Sequence, residues 1–146
     1  MPSEIITENR DSKISEPFGH FFSVNQITVA TVLGTPIAGF LLLAQNYRKI
    51  GKSGKALNSV AVGIGLTVIV FIIAFWLPEN FPNFALPVGY SIGMRYAVQH
   101  LQGDLISEHE STNIKASWIK TIAVGILSLI LVSAVIFILI IAFIPE

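Results

Sequence analysis

The chain has 146 residues, equal numbers of acidic and basic side chains, no cysteine, and only 12% charged against 53% hydrophobic positions. An ordinary soluble domain carries about a quarter charged residues, so this composition calls for lipid around much of the chain. Zero net charge excludes a broadly basic nucleic-acid surface, and the absence of cysteine excludes disulfides, thiolate metal sites and a thiol nucleophile.

Residues 1–23 form a polar lead-in containing Glu4, Glu8, Asp11 and Glu16. They lack the basic, apolar and small-residue order of a cleavable signal peptide, so Met1 is expected to stay attached and the first span to serve as the targeting signal. The first apolar run, about 24–46, is long enough for a membrane helix. Ala30, Gly34 and Ala38 recur at intervals of four and predict a close helix contact. Thr28, Thr31 and Thr35 lie beside them, and Pro36 removes an amide that would bond the Val32 carbonyl, predicting a kink.

Arg48, Lys49, Lys52 and Lys55 then make a basic connection, "RKIGKSGKA", suited to the inner leaflet. Its Gly51-Lys52-Ser53 imitates the end of a P-loop, but Asn46 stands where the first P-loop glycine is required and an apolar helix precedes it. The hairpin "ITVATVLGTPIAGFLLLAQNYRKIGKSGKA", with Thr31, Leu33-Gly34, Pro36, Gly39, Asn46-Tyr47 and Gly51, resembles the opening of small uncharacterised bacterial multi-pass membrane proteins. That resemblance covers about a third of the chain and implies a membrane fold without an assigned activity.

A second span is expected at 58–77, with Ser59, Gly63 and Thr67 as its contact row and "LPENFPNFALP" as an outer turn. The fourth, 118–144, carries Thr121 and Gly125. Between them, 84–105 is less apolar. If it crosses, the connections holding Arg48, Lys49, Lys52, Lys55, Lys115 and Lys120 face one side, six cations against Arg10 and Lys13; otherwise the split is five to four. The positive-inside rule favours the crossing. The expected fold is therefore all-α, a transmembrane four-helix bundle of two consecutive hairpins with short loops and both termini outside.

The doubtful span carries Ser91, Arg95, Gln99 and Gln102, which predict a polar stripe facing protein or a wet cavity. No span contains a carboxylate between its ends, so Arg95 must look to a threonine, to Asn25, Gln26 or Asn46, to the Val32 carbonyl, to a lipid headgroup, to a carboxylate of another subunit, or to a transported anion. His100, Asp104 and Glu108 recur at intervals of four and could bind a metal or respond to pH. The loop-like sequence after Gly103 argues against continuity, and no metal site is assigned. "PIAGF" against "PVGY", and "AVGI" at 61–64 and 123–126, form a faint internal echo of the kind a duplicated hairpin leaves.

These features point to a small protein of the bacterial cytoplasmic membrane without catalytic residues or cofactor. Its expected role is that of an accessory, assembly or immunity-type subunit, contacting a larger membrane partner or further copies of itself. A small oligomeric transporter for an anion or polar solute, lined by the third span, is the competing expectation.

Overall fold

The computed structural model describes residues 20–110 and 116–143. Residues 1–19 of the polar lead-in, the connection 111–115 and the last three residues lie outside that description. Among the described residues the protein is all-helical, with α1 at Val24–Gly34, α2 at Pro36–Lys49, α3 at Ser53–Trp76, α4 at Ala85–Glu110 and α5 at Trp118–Phe143. Of these, α3 and α5 are long and apolar enough to cross a membrane.

The expected first span, 24–46, is not one helix. It is broken at Thr35, where φ is 108° and ψ 166°, and the chain reverses there. Pro36 supplies the reason. Beyond withholding an amide, its ring disfavours helical geometry in the preceding residue, so α1 ends at Gly34 and Pro36 opens a new helix at its favoured first position. A β-branched residue at positive φ costs on the order of 1–3 kcal/mol, which the surrounding contacts must offset.

The two halves lie antiparallel. The Asn46 side chain, near the end of α2, meets the backbone of Phe22, just before α1. Nearer the turn, a Cβ on Gly39 would fall 2.0 Å from Thr31 Oγ1. At about 1.5 Å per residue, α1 is about 16 Å long and α2 about 21 Å, each short of a hydrocarbon core of about 30 Å. Residues 20–49 therefore leave from the end at which they entered. This corrects both the simple first span and the expectation of two consecutive two-helix hairpins.

Each terminus of the reversal is capped. Ser23 accepts from the Gln26 amide and the Gln26 side chain accepts from the Ser23 amide, a reciprocal box opening α1. The Ile37 amide, without a partner inside its own helix at the start of α2, donates to Thr67 Oγ1 of α3 at 3.0 Å, while that hydroxyl donates to Gly63 O. At the far end of α2, the Gly51 amide bonds Arg48 O and the Lys52 amide bonds Tyr47 O, with Gly51 at φ 71°. The segment resembling a P-loop is thus a glycine-dependent helix stop.

The hairpin is the core of the molecule. Ile27, Ala30, Ala38, Leu42 and Leu43 are fully buried. Helix α1 packs on α4 and α5, and α2 packs chiefly on α3. Among the described residues none of the three long helices packs extensively on another, and each reaches its neighbours through the hairpin. The small-residue rows lie at these contacts: Ala30, Gly34 and Ala38 of the hairpin, Ser59, Gly63 and Thr67 of α3, and Thr121 and Gly125 of α5 are all buried. Because the helix is broken after Gly34, Ala38 continues the first row only in sequence; in space it belongs to the returning half. The glycines of the repeated "AVGI", Gly63 and Gly125, both face the hairpin, on opposite sides.

Candidate functional site

Three buried amides close the open end of the hairpin. Asn46 Oδ1 accepts from Phe22 N at 3.0 Å, and its Nδ2 donates to Phe22 O at 2.9 Å and to Gln102 Oε1 at 3.2 Å. Gln102 Nε2 donates to Leu43 O, and Gln26 Nε2 donates to Ala116 O at 2.6 Å. The Ala116 amide in turn donates to Phe21 O. With each amide no more than 2% exposed, four chain segments are tied at one level, and buried polar groups of this kind are costly unless satisfied. The sequence suggests Gln26 and Asn46 as acceptors for Arg95 and not for this role, for which their amide chemistry near helix ends is the available signal.

The same level places the helix ends. Gln102 puts the last turns of α4 beside the hairpin base, Ala116 puts the start of α5 there, and the chain enters at His20, whose carbonyl accepts from Lys49 Nζ. Arg48, Lys49, Lys52, Lys55 and Lys120 gather at this end, and the opposite turn, 77–84, contains none. Lys49 lies over the Phe22 ring at 4.9 Å. Burial, and secondarily the nearby Lys120, holds its ammonium below the ordinary lysine range.

The expected stripe on α4 is divided. Ser91 and Gln102 are buried, but Arg95 and Gln99 are exposed; the buried face consists of Ser91, Met94, Val98, Gln102 and Ile106. With 3.6 residues per turn, each step of four advances about 40°, so a row at that spacing drifts from the core-facing side to its flank. Arg95 lies on that flank and donates through Nη1 to Asn25 Oδ1 at 3.3 Å, reaching back toward the basic end. Asn25, itself exposed, is neutral, so the contact leaves the guanidinium charge uncompensated.

A crevice of ≈270 Å³ runs between α3 and α4 over the hairpin, lined by Pro36, Phe40, Leu66, Tyr90, Met94 and Ala97 among others. Arg95 and Gln99 do not line it. His100 and Asp104 are exposed one turn apart on α4, and the Glu108 side chain lies outside the described residues. Among the described residues no three ligating side chains are brought together for a metal. No protein-family model, curated protein or solved structure matches the chain.

Proposed function

We propose that this chain is an integral membrane protein acting as an interaction subunit, with the exposed flank of α4 around Arg95 and Gln99 docking onto an acidic group of a larger membrane partner. In this reading α3, α4 and α5 cross the bilayer and the α1–α2 hairpin enters and leaves from the cytoplasmic side. Two things support the placement. The outward surfaces of α3 and α5 are almost wholly apolar, and five cations collect at one end with none at the other turn. The chain then enters from the cytoplasmic side, and α5 ends on the opposite side. No catalytic role is assigned.

One observation carries the proposal: Arg95 lies on the exposed flank of α4 and meets there only the neutral side chain of Asn25. An arginine at membrane depth costs about 2.5–3.5 kcal/mol on insertion scales, and a neutral asparagine offsets little of that. From Val24 to Gly103 the sole carboxylate is Glu79 in the opposite turn, and α5 has none. Among the described residues Arg95 has no acid partner, its side chain bonding the neutral Asn25, and in this reading the partner supplies the compensating acid. A solute path along the stripe, the competing expectation, has less support, because the crevice beside α4 is bordered by its apolar side.

Arg95→Gln is expected to weaken co-purification with the partner in mild detergent at least tenfold, since truncating one member of a desolvated charge pair costs about 2–5 kcal/mol. Arg95→Lys should retain part of it. Unchanged recovery of the complex with Arg95→Gln would exclude this site, and solute flux into liposomes by the purified chain alone, abolished by the same substitution, would favour the transport reading instead.

A further inference from the structure

A cavity of ≈430 Å³ opens at the basic end, where the chain before α1, the end of α2 and the start of α5 converge. His20, Phe22, Gln45, Lys49, Ser117 and Lys120 line it. Its electrostatics are one-sided. Lys49 and Lys120 come from different helices yet share this space, and among the described residues no carboxylate lines it. Lys49 has a local reason to be there, because the negative end of the α2 dipole and the Phe21 and Phe22 rings favour a cation.

Lys120 has no such reason. It is the third residue of α5, where the helix dipole is positive and acidic side chains are the favoured choice. The leading amides of that turn add partial positive charge; Ser117 takes two of them, its Oγ accepting from Ile119 N and its carbonyl from Thr121 N. Two ammonium groups and a helix start thus repel one another across one small cavity, an arrangement that an anion would turn from repulsive to attractive. Ser117 and Gln45 supply neutral polar groups, and Phe22 and Ala116 supply an apolar wall.

We propose that this cavity binds a phosphate-type oxyanion held between Lys49 and Lys120. The group is either the phosphodiester of an anionic lipid headgroup or free phosphate. Headgroup capture rests on the membrane placement proposed above, whereas capture of free phosphate does not.

The test uses the full chain in neutral detergent, with Trp76→Phe so that Trp118, at the start of α5, is the local fluorescent reporter. Short-chain phosphatidylglycerol and inorganic phosphate are titrated separately. At least one is expected to give a saturable change: response to phosphate identifies a free-anion site, and response to phosphatidylglycerol alone identifies a headgroup site. Lys120→Gln should weaken binding about fivefold, equivalent to about 1 kcal/mol for one lysine near an anionic surface, and Lys49→Gln with it about twenty-fivefold. Lys120→Arg should retain binding and shows whether the first turn of α5 survives substitution. Lys52→Gln, which removes a cation of the same end outside the cavity, should change little. Absence of a saturable response to both probes, or an equal loss with Lys52→Gln and Lys120→Gln, would overturn the proposal.

Discussion

A single methyl group added at Gly34 is expected to be among the most damaging changes in this protein. A Cβ there would lie 2.4 Å from Gly125 O and 2.9 Å from Gly125 Cα, and 2.8 Å from Ala38 Cβ. The first two obstacles are backbone atoms of α5, which cannot rotate away, so α1 and α5 must separate or the reversal at Thr35 must deform. Overpacking of this kind typically costs about 1–3 kcal/mol, and rigid backbone on the opposing side puts Gly34→Ala at about 3 kcal/mol. The chain supplies its own controls. At Gly65 and Gly89 an added Cβ meets nothing within 4 Å, so alanine there should be neutral or stabilising by up to about 1 kcal/mol through helix propensity. Reversible unfolding in mixed micelles measures all three. Equal stabilities for Gly34→Ala and Gly65→Ala would mean that α1 and α5 do not cross at this point.

The second large effect is expected at Asn46. Replacement by leucine keeps the approximate volume but leaves the amide and carbonyl of Phe22 buried without their partners, and also deprives Gln102 Oε1 of its donor. Each unsatisfied buried group costs about 1–3 kcal/mol, so Asn46→Leu should lose about 3–5 kcal/mol. Gln102→Leu should cost less, because it removes two longer bonds, at 3.2 and 3.3 Å, and only the Leu43 carbonyl and one Asn46 amide hydrogen lose a partner. The loss at Asn46 should be local before it is global. Faster proteolysis next to His20, with α3 and α5 still protected, is the signature of an entry segment that has come away. Protection unchanged from the parent chain would show that the amide knot does not hold that segment.

How much of this was legible depended on whether the deciding force was local. The apolar runs located α3 and α5, and the pattern from Ser91 to Gln102 was recognisably helical. Boundaries were less so: α3 begins at Ser53, five residues before the expected start, because "SGKALN" tolerates helix outside the apolar window. The small-residue rows were visible because close backbone approach demands Gly, Ala, Ser or Thr whatever the partner helix. The reversal within 24–46 was not, since a hydropathy window scores one long helix and two short ones alike. Its local marker, Pro36, predicts only a kink; what converts it to a turn is distant, namely Thr67 accepting from the Ile37 amide and Gly125 admitting Gly34. Likewise, the rotation that leaves Arg95 on the flank of α4 is set by where α1 sits, which spacing along α4 cannot state.

That, among the described residues, the long helices meet chiefly through the α1–α2 wedge has a consequence for biogenesis. Membrane proteins are commonly pictured as inserting stable helices first and associating them afterwards, but in the placement proposed above the three rods have little to recognise in one another until the preceding α1–α2 segment is seated among them. In the membrane placement proposed above, α1 and α2, although made before the three rods, would therefore be among the last elements to find their place, a keystone for an arch not yet standing.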